Sequence, residues 1–282
     1  MVKLPALFIG HGSPMNTLEL NDFTCSWRQL GKALPRPRAL LVISAHWFIG
    51  ATAVTAMAKP RTIHDFYGFP DELFAFNYPA PGLPELAAEV AEVVKPHWVG
   101  ADHDQWGLDH GTWSVLAHLF PEADVPVVQL SINAQKPLDY HLDLGGRLAP
   151  LREKGILILS SGNVVHNLRR IDWSKPDKGA DWAHRFDDAA LHLMTNDPES
   201  ILKMSEHPDF GLAVPTPDHF IPLLYTAALA ASEGGADAFL RGYAMGSLSM
   251  TCYGVGMDAL PCVEGQGAAA LPEGVPSDQT NA

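Results

Sequence analysis

Four histidines of this sequence stand where an apolar run ends or where a helix is predicted to begin. His11 directly follows Leu-Phe-Ile-Gly, His46 directly follows Leu-Val-Ile-Ser-Ala, and His166 comes six residues after the run that ends at Ser160. His219 lies in Pro-Thr-Pro-Asp-His-Phe, before an apolar stretch with helical character. In open α/β sheets, ligands bind outside the carboxyl ends of the strands. We therefore expect these histidines to converge on one site.

Several imidazoles together favour a metal ion, because neutral imidazole is a good ligand for Zn, Fe, Cu and Ni. The nearby sequence offers no thiolate cluster, so a structural zinc site is not expected. The alternative for each histidine is a structural role as a hydrogen-bonded residue at a strand end. The residue pattern alone leaves both interpretations open. The remaining histidines in helical or polar surroundings are interpreted as solvated or capping residues.

Two further segments combine histidines with acidic or aromatic residues. The stretch Ile63–Pro70 contains His64, Phe66 and Tyr67, and its planar apolar faces suit an aromatic substrate with a polar rim. A well-packed surface loop is the alternative. In the second segment, Asp109 and His110 open a predicted helix, where Asp109 could simply cap the helix and His110 could act as an acid, a base or a hydrogen-bonding group.

The elements that must position these residues alternate between strands and helices. Buried strands are predicted from the near-continuously apolar runs Leu4–Ile9, Ala39–Ser44, Val125–Ile132 and Ile156–Ser160. Helices are predicted over Leu83–Val94, Gly111–Phe120, Leu138–Leu151, Asp181–Met194, Glu199–Glu206 and Asp218–Ser232. Two late strands, Ala238–Met245 and Ser247–Tyr253, are predicted to form a hairpin at the sheet edge. This order favours an α/β fold with a central, mostly parallel sheet flanked by helices.

The organisation predicts one catalytic domain over residues 1–263, followed by a flexible tail over residues 264–282 that is rich in Gly, Ala, Pro and polar residues. The chain shows no internal repeat. Its longest strongly apolar stretch has 12 residues, whereas a membrane-spanning helix needs roughly 20. The apolar run at the N-terminus is interpreted as a strand and not as a signal peptide.

Composition narrows the function further. The chain carries 32 acidic and 19 basic residues, a formal charge of -13, which disfavours binding to a phosphate backbone. Its three cysteines contain no CxxC pair and indicate a reducing compartment, so we expect a soluble cytoplasmic protein. The chain contains no GxGxxG segment after a strand and no GxxxxGK[ST], HExxH or GxSxG motif. Their absence disfavours the common nucleotide-binding and hydrolase sites.

Six motifs in chain order carry a family resemblance. They are GHGSPMN at 10–16, SAHW at 44–47, HDFYGFP at 64–70, DHGTW at 109–113, SGNVVHN at 161–167 and PTPDHF at 215–220. The set resembles the class III extradiol ring-cleavage dioxygenases, and within them the 4,5-DOPA extradiol dioxygenase branch. The match extends from about residue 5 to about residue 255.

The resemblance implies a mononuclear non-haem metal site with His11, His46 and His219 as ligands. His166 matches the acid/base histidine of the class, or would serve as a fourth ligand if it lies close enough to the metal. His110 and His64 would hydrogen-bond the substrate, and if His166 is a ligand, His110 would take the acid/base role. Phe66 and Tyr67 would form part of the pocket wall.

The resemblance also implies the reaction, in which a DOPA-like catechol is cleaved with O2 to a muconic semialdehyde. Fe(II) is the metal expected for activity. An all-histidine site also suits Zn(II), because the usual signature of Fe(II) oxygenases is two histidines and one carboxylate. Two alternatives stay open: a zinc-dependent hydrolase that uses the same histidines, and a non-catalytic metal-binding member of the family. The size and acidity of the chain are compatible with a homo-oligomer.

Overall fold

The main sheet is built around four neighbouring parallel strands that are buried on both faces. In the computed structural model, which describes residues 3–258, 260–272 and 274–275, this sheet has nine strands in the order β11-β7-β10-β1-β6-β2-β5-β3-β4. Its strands are β1 (Ala6–Gly10), β2 (Ala39–Ile49), β3 (Ala53–Thr55), β4 (Gly100–Asp102), β5 (Val127–Asn133), β6 (Ile156–Gly162), β7 (Asp237–Arg241), β10 (Cys252–Val255) and β11 (Val263–Glu264). A separate two-stranded sheet pairs β8 (Tyr243–Ala244) with β9 (Leu248–Ser249).

Helices cover both faces of the sheet. They are α1 (Asp22–Ala33), α2 (Asp71–Phe74), α3 (Pro84–Val93), α4 (His110–Leu119), α5 (Leu138–Arg147), α6 (Ala149–Glu153), α7 (Asp181–Asn196), α8 (Phe210–Ala213) and α9 (Ile221–Ala231). Short 3-10 segments lie at Pro14–Thr17, Leu168–Arg170 and Pro198–Glu206. No helix in the described ranges is long and apolar enough to span a membrane. The predicted single-domain α/β architecture is confirmed.

The two faces of the central strands belong to two different hydrophobic cores. In β1, Phe8 points to the core that includes α5 and α9, whereas Leu7 and Ile9 point to the core that includes α1 and α4. This division follows from the alternation of side chains along a strand. Because both faces are covered by helices, the central strands are apolar over most of their length, and this is why the sequence pattern located them.

Three predicted helices differ from the observed elements. The predicted helix Leu138–Leu151 is two helices, α5 and α6, because Pro150 stands in the first turn of α6 and has no N–H to continue the helical ladder. The predicted helix at Asp218 begins only at Ile221, so His219 lies in the turn before α9. The segment around Glu199–Glu206 is a 3-10 helix.

One amphipathic helix was not predicted. Helix α1 begins at a capping box in which Asn21 and Thr24 exchange side-chain and backbone hydrogen bonds.

At the other end of the chain, the late strands are β7 and β10, which pair with each other in antiparallel fashion, and β10 also pairs with β1. The predicted division at residue 263 stays a prediction, and residues 276–282 of the predicted tail lie outside the described residues.

Candidate metal centre

The ends of three neighbouring strands supply the first part of the site. Strands β1, β6 and β2 are adjacent and parallel, so their carboxyl ends meet at one edge of the sheet. His11 follows β1 directly, and its backbone N–H donates to the carbonyl of Gly162 at the end of β6. His46 lies in β2, where the pairing of β2 with β5 is irregular between Ile43 and Phe48.

Loops after β6 and before α9 supply two more histidines. His166 lies beyond the end of β6, and its backbone N–H donates to the carbonyl of Ala213. His219 lies in the turn before α9, and its carbonyl accepts a hydrogen bond from Asn163. A Cβ on Gly162 would be 2.3 Å from that carbonyl oxygen, so the close approach of the turn to β6 needs glycine at this position. The rings of His166 and His219 stack at 3.6 Å.

His110 comes from the first turn of α4, where Asp109 is the N-cap residue. Its ring centroid is 3.7 Å from that of His46. The five histidines line one cavity of about 30 Å³, together with Phe66 and Phe69. His11, His46 and His110 each place one ring nitrogen within 4.8 Å of the other two. This geometry could hold a metal ion. This group differs from the predicted ligand set in its third member.

Hydrogen bonds fix which ring nitrogen of each histidine faces the cavity. The hydroxyl of Ser161 donates to the carbonyl of Gly111 at 2.6 Å, so at 2.9 Å it accepts from Nδ1–H of His11. Asp218 accepts from Nδ1–H of His219. In both cases the proton is committed to Nδ1, and the lone pair on Nε2 is left for a ligand.

One buried carboxylate, Asp65, serves two of the histidines. Its Oδ2 accepts from Nδ1–H of His110 at 2.9 Å and lies 3.3 Å from Nδ1 of His46, while its Oδ1 accepts the backbone N–H of His110 at 2.9 Å. A carboxylate that orients histidines in this way is common behind metal sites. Asp65 therefore holds the Nδ1 proton of His110 by a hydrogen bond, and its negative charge favours the Nδ1-protonated form of His46.

The Nε2 atoms of His11 and His46 lie 3.3 Å apart. With both rings protonated at Nδ1, as Ser161 and Asp65 favour, two lone pairs face each other at this distance. A cation resolves that repulsion. With metal–nitrogen bonds of about 2.1 Å, two ligands of one tetrahedral ion lie about 3.4 Å apart, which fits the observed separation. The donor set and its spacing fit a single divalent metal ion.

Electrostatics keep the rings in the neutral form that binds metals. Burial, reinforced by the neighbouring histidines, lowers the pKa of His11 and of His46 well below the ordinary value of 6.5. Burial likewise lowers the pKa of His166. These three rings are therefore neutral at physiological pH. Behind the site, burial and the charge of Asp65 raise the pKa of Asp109 to about 6.

His166 differs from the other four histidines. Within the part of the chain that the structure describes, its buried Nδ1 has no hydrogen-bond partner. The Nδ1 atoms of the other four each face a hydroxyl or a carboxylate. A metal-ligating histidine is usually oriented by such a partner, so His166 is the ring of these five whose tautomer is not fixed by a hydrogen bond at Nδ1.

The predicted wall residues separate into two groups. Phe66 lines the cavity beside the histidines. His64 is packed edge-on against Phe66, and its Nε2 bonds the carbonyl of Phe76, so among the described residues it is not part of the cavity lining. Tyr67 is 46% exposed and is also outside that lining.

Sequence reasoning missed several residues of the site. It assigned no role to Asp65, because nothing in the sequence around this residue indicates that it faces His46 and His110. It did not single out Ser161 as the partner of His11, or Leu271 and Val275 as part of the cavity lining. Short polar and aliphatic side chains carry no chemical signal in a sequence.

Comparisons with known proteins agree on the family. Residues 6–256 match the family described as the catalytic LigB subunit of aromatic ring-opening dioxygenase. The chain is 45% identical to the 4,5-DOPA dioxygenase extradiol of Escherichia coli (strain K12), covering 90% of this chain and 95% of that one. It is 36% identical to the protein of the same name from Beta vulgaris, covering 87% and 94%. A crystal structure of an uncharacterized protein from Escherichia coli K12 superposes with a TM-score of 0.78 at 42% identity, covering 90% of this chain and all of that one.

Proposed function

The chain belongs to the family of aromatic ring-opening dioxygenases that includes the catalytic LigB subunit, and we propose that it cleaves a catechol with a DOPA-like side chain to a muconic semialdehyde. The family makes it an extradiol dioxygenase, so the bond that breaks is a ring C–C bond beside the diol. Both atoms of O2 enter the product, and no other oxidant or reductant is consumed. The DOPA-like side chain is taken from the printed names of the relatives.

We propose that His11, His46 and His219 hold one divalent metal ion, Fe(II) in the active enzyme. The observation that carries this proposal is the 3.3 Å separation of the Nε2 atoms of His11 and His46, whose Nδ1 atoms face Ser161 and Asp65. His219 is oriented by Asp218 as ligands usually are, and its ring centroid is 5.0 Å from that of His46. When bound, the metal supplies Lewis acidity toward the catechol oxygens and a route for electrons between the ring and O2.

The protein side chains handle protons and the ring. His166, with its unpartnered Nδ1 and lowered pKa, is the group we assign to take up a proton from the catechol and return it later in the reaction. His110, held by Asp65, presents its Nε2 to a substrate oxygen as a hydrogen-bonding group. Phe66 and Phe69 offer apolar surface to the flat ring. We propose that His64 and Tyr67 contact the part of the substrate's DOPA-like side chain that lies farthest from the catechol ring.

The proposed function is tested by reconstituting metal-free protein with Fe(II) or with Zn(II) and adding L-DOPA, with and without O2. We expect oxygen uptake and a yellow product only with iron and only in air. Turnover that is unaffected by removing O2 would instead support the hydrolase. Metal binding without any reaction across several catechols would support the non-catalytic alternative.

The ligand assignment is tested by metal content. We expect His11→Ala, His46→Ala and His219→Ala to lose the metal, whereas His110→Ala should retain the metal and lose turnover. His97→Ala is the matched control, because His97 pairs with Asp143 at the protein surface. If His110→Ala lost the metal and His219→Ala kept it, the ligand set would be the compact group of His11, His46 and His110.

A further inference from the structure

The residues that follow β10 return across the molecule toward the histidines. We name the described residues 263–272 and 274–275 the C-terminal segment. It begins as β11, which pairs in parallel with β7 at the sheet edge. The backbone N–H of Gly265 donates to the carbonyl of Arg241 at 2.8 Å, and that of Gln266 donates to Asp22 Oδ2 at 3.0 Å. The first part of the segment is therefore fixed to the sheet and to the start of α1.

The second part of the segment reaches the loop that carries His11. The backbone N–H of Ala269 donates to Asn16 Oδ1 at 3.0 Å, and Ser13 Oγ donates to the carbonyl of Ala270 at 3.4 Å. Asn16 in turn donates through Nδ2 to the carbonyl of His11 at 3.1 Å. The segment is thus hydrogen-bonded to the same residue that supports the backbone of His11.

Two aliphatic side chains of the segment enter the lining of the histidine cavity. Leu271 is 8% exposed and belongs to the same core as Phe66 and Phe69, and Val275 packs against that core. Both line the cavity with the five histidines. The lining is therefore completed by two residues that come more than 200 positions after Phe69 in the sequence.

The position of these two side chains has a consequence for the substrate. A catechol that reaches the histidines lies against the same lining, so its ring substituents meet the side chains that complete that lining. Within the described residues, the part of the segment from 268 onward has no strand pairing, and the two hydrogen bonds to Asn16 and from Ser13 connect it to the body.

Other apolar wall residues are held in other ways. Leu248 lies in β9, and its backbone pairs with His166. Phe66 is surrounded by Phe69, Phe74 and Trp113 at ring distances of 5.0 to 6.1 Å. The C-terminal part of the wall is instead held by its own apolar packing and by the two backbone hydrogen bonds beside it.

We propose that Leu271 and Val275 of the C-terminal segment determine which ring substituents the enzyme accepts. This inference rests on the proposed function, because it concerns the substrate of the same site. The two side chains form part of the apolar wall of the substrate cavity, and their volume sets the size of the group that a catechol can carry.

The test uses full-length, iron-loaded enzyme and a series of catechols that share the ring and differ in the substituent: catechol, 4-methylcatechol, 3-(3,4-dihydroxyphenyl)propionate and L-DOPA. The quantity compared is the kcat/KM for each substituted catechol divided by that for catechol. Leu271→Ala and Val275→Ala should raise this ratio for the bulkier members by at least about tenfold, since single methylene groups in an apolar pocket already change selectivity by such factors. Leu271→Phe should lower it.

A binding measurement accompanies the kinetics. The dissociation constant of 4-nitrocatechol, followed by its absorption spectrum without O2, reports on the wall even where turnover is slow. Val263→Ala is the matched control, because Val263 lies in the same segment, is 49% exposed and is not part of the cavity lining. Thermal unfolding checks that each variant is folded.

Selectivity ratios within twofold of wild type in Leu271→Ala and in the folded Leu271→Phe variant would overturn the inference while leaving the proposed function intact. Equal shifts in Val263→Ala would overturn it as well, because they would show a general effect of the segment. If the wild-type enzyme neither binds nor cleaves any catechol of the series, the proposed function fails, and the inference fails with it.

Discussion

Asp65→Asn is the substitution that most directly tests how the site is organised. The asparagine has nearly the same shape as aspartate, so packing around the buried side chain is preserved. It keeps one oxygen and replaces the other by an NH2 group. In the wild type both oxygens accept hydrogen bonds, Oδ1 from the backbone N–H of His110 and Oδ2 from its Nδ1. In the variant, either the backbone N–H or the Nδ1–H of His110 must face the new NH2 group, which is itself a donor. The ring avoids this clash when its proton moves from Nδ1 to Nε2.

That change of tautomer is the expected source of the defect. A His110 ring protonated at Nε2 no longer presents a lone pair to the cavity, and His46, 3.3 Å from the same carboxylate, loses the negative charge that holds its Nδ1 proton. Removing an orienting partner of this kind typically costs 10- to 100-fold in metal affinity or activity. We therefore expect a loss of about 10- to 100-fold, which corresponds to about 1.4 to 2.7 kcal/mol.

The assay separates the two histidines. Titration of metal-free protein with Fe(II) reports on His46 as a ligand, and oxygen uptake with L-DOPA at saturating metal reports on His110. Asp143→Asn is the control, because Asp143 also pairs a carboxylate with a histidine, His97, but does so at the surface. If Asp65→Asn kept both its metal affinity and its kcat/KM within twofold of wild type, the reasoning that Asp65 fixes the tautomers would be refuted.

Two further predictions concern stability and backbone packing. Three buried histidines of the cavity, His11, His46 and His166, have lowered pKa values, and so do His118 and His141 elsewhere in the described structure. Below the ordinary histidine pKa of 6.5, the unfolded chain binds more protons than the folded chain, so stability is lost as the pH falls. We expect each of the three cavity rings to contribute a loss of about 1 kcal/mol between about pH 6.5 and about pH 5.5, measured by urea unfolding of metal-free protein as the difference between the wild type and the matching His→Gln variant. We also expect Gly162→Ala to displace the carbonyl of His219, to destabilise the fold by about 1–3 kcal/mol and to weaken metal binding; Gly211→Ala, with open space around its Cβ, should do neither.

The positions of His11 and His46 were predictable because they depend on strand pattern alone. Each follows or ends a run of aliphatic residues, and parallel strands place their carboxyl ends together. His219 was predictable as a residue before a helix, although the helix begins later than expected because Pro222 stands in its first turn. The convergence of these residues therefore follows from sequence-local features and one general rule about sheets.

What could not be predicted depends on contacts between distant segments. Asp65 contacts His110 across 45 residues, and Ser161 contacts His11 across 150. His64 carries the same chemical signal as the site histidines, yet its ring is directed toward the carbonyl of Phe76. Neither hydrophobic periodicity nor residue type encodes which way a loop side chain turns. Helix α1 was missed for a different reason, since its start is marked by a capping box and not by a long apolar run.

The burial of the histidines links the stability of the protein to its metal. Burial keeps the rings of His11 and His46 neutral, which prepares them as ligands, but it also leaves two facing lone pairs at 3.3 Å that are unfavourable without a cation. A metal ion that binds only the folded chain stabilises it by RT ln(1 + [M]/Kd), about 2.7 kcal/mol at a hundredfold excess over Kd. The acid sensitivity of the metal-free protein and the stabilisation by metal thus have the same origin, so saturating metal should shift the acid-induced loss of stability to lower pH.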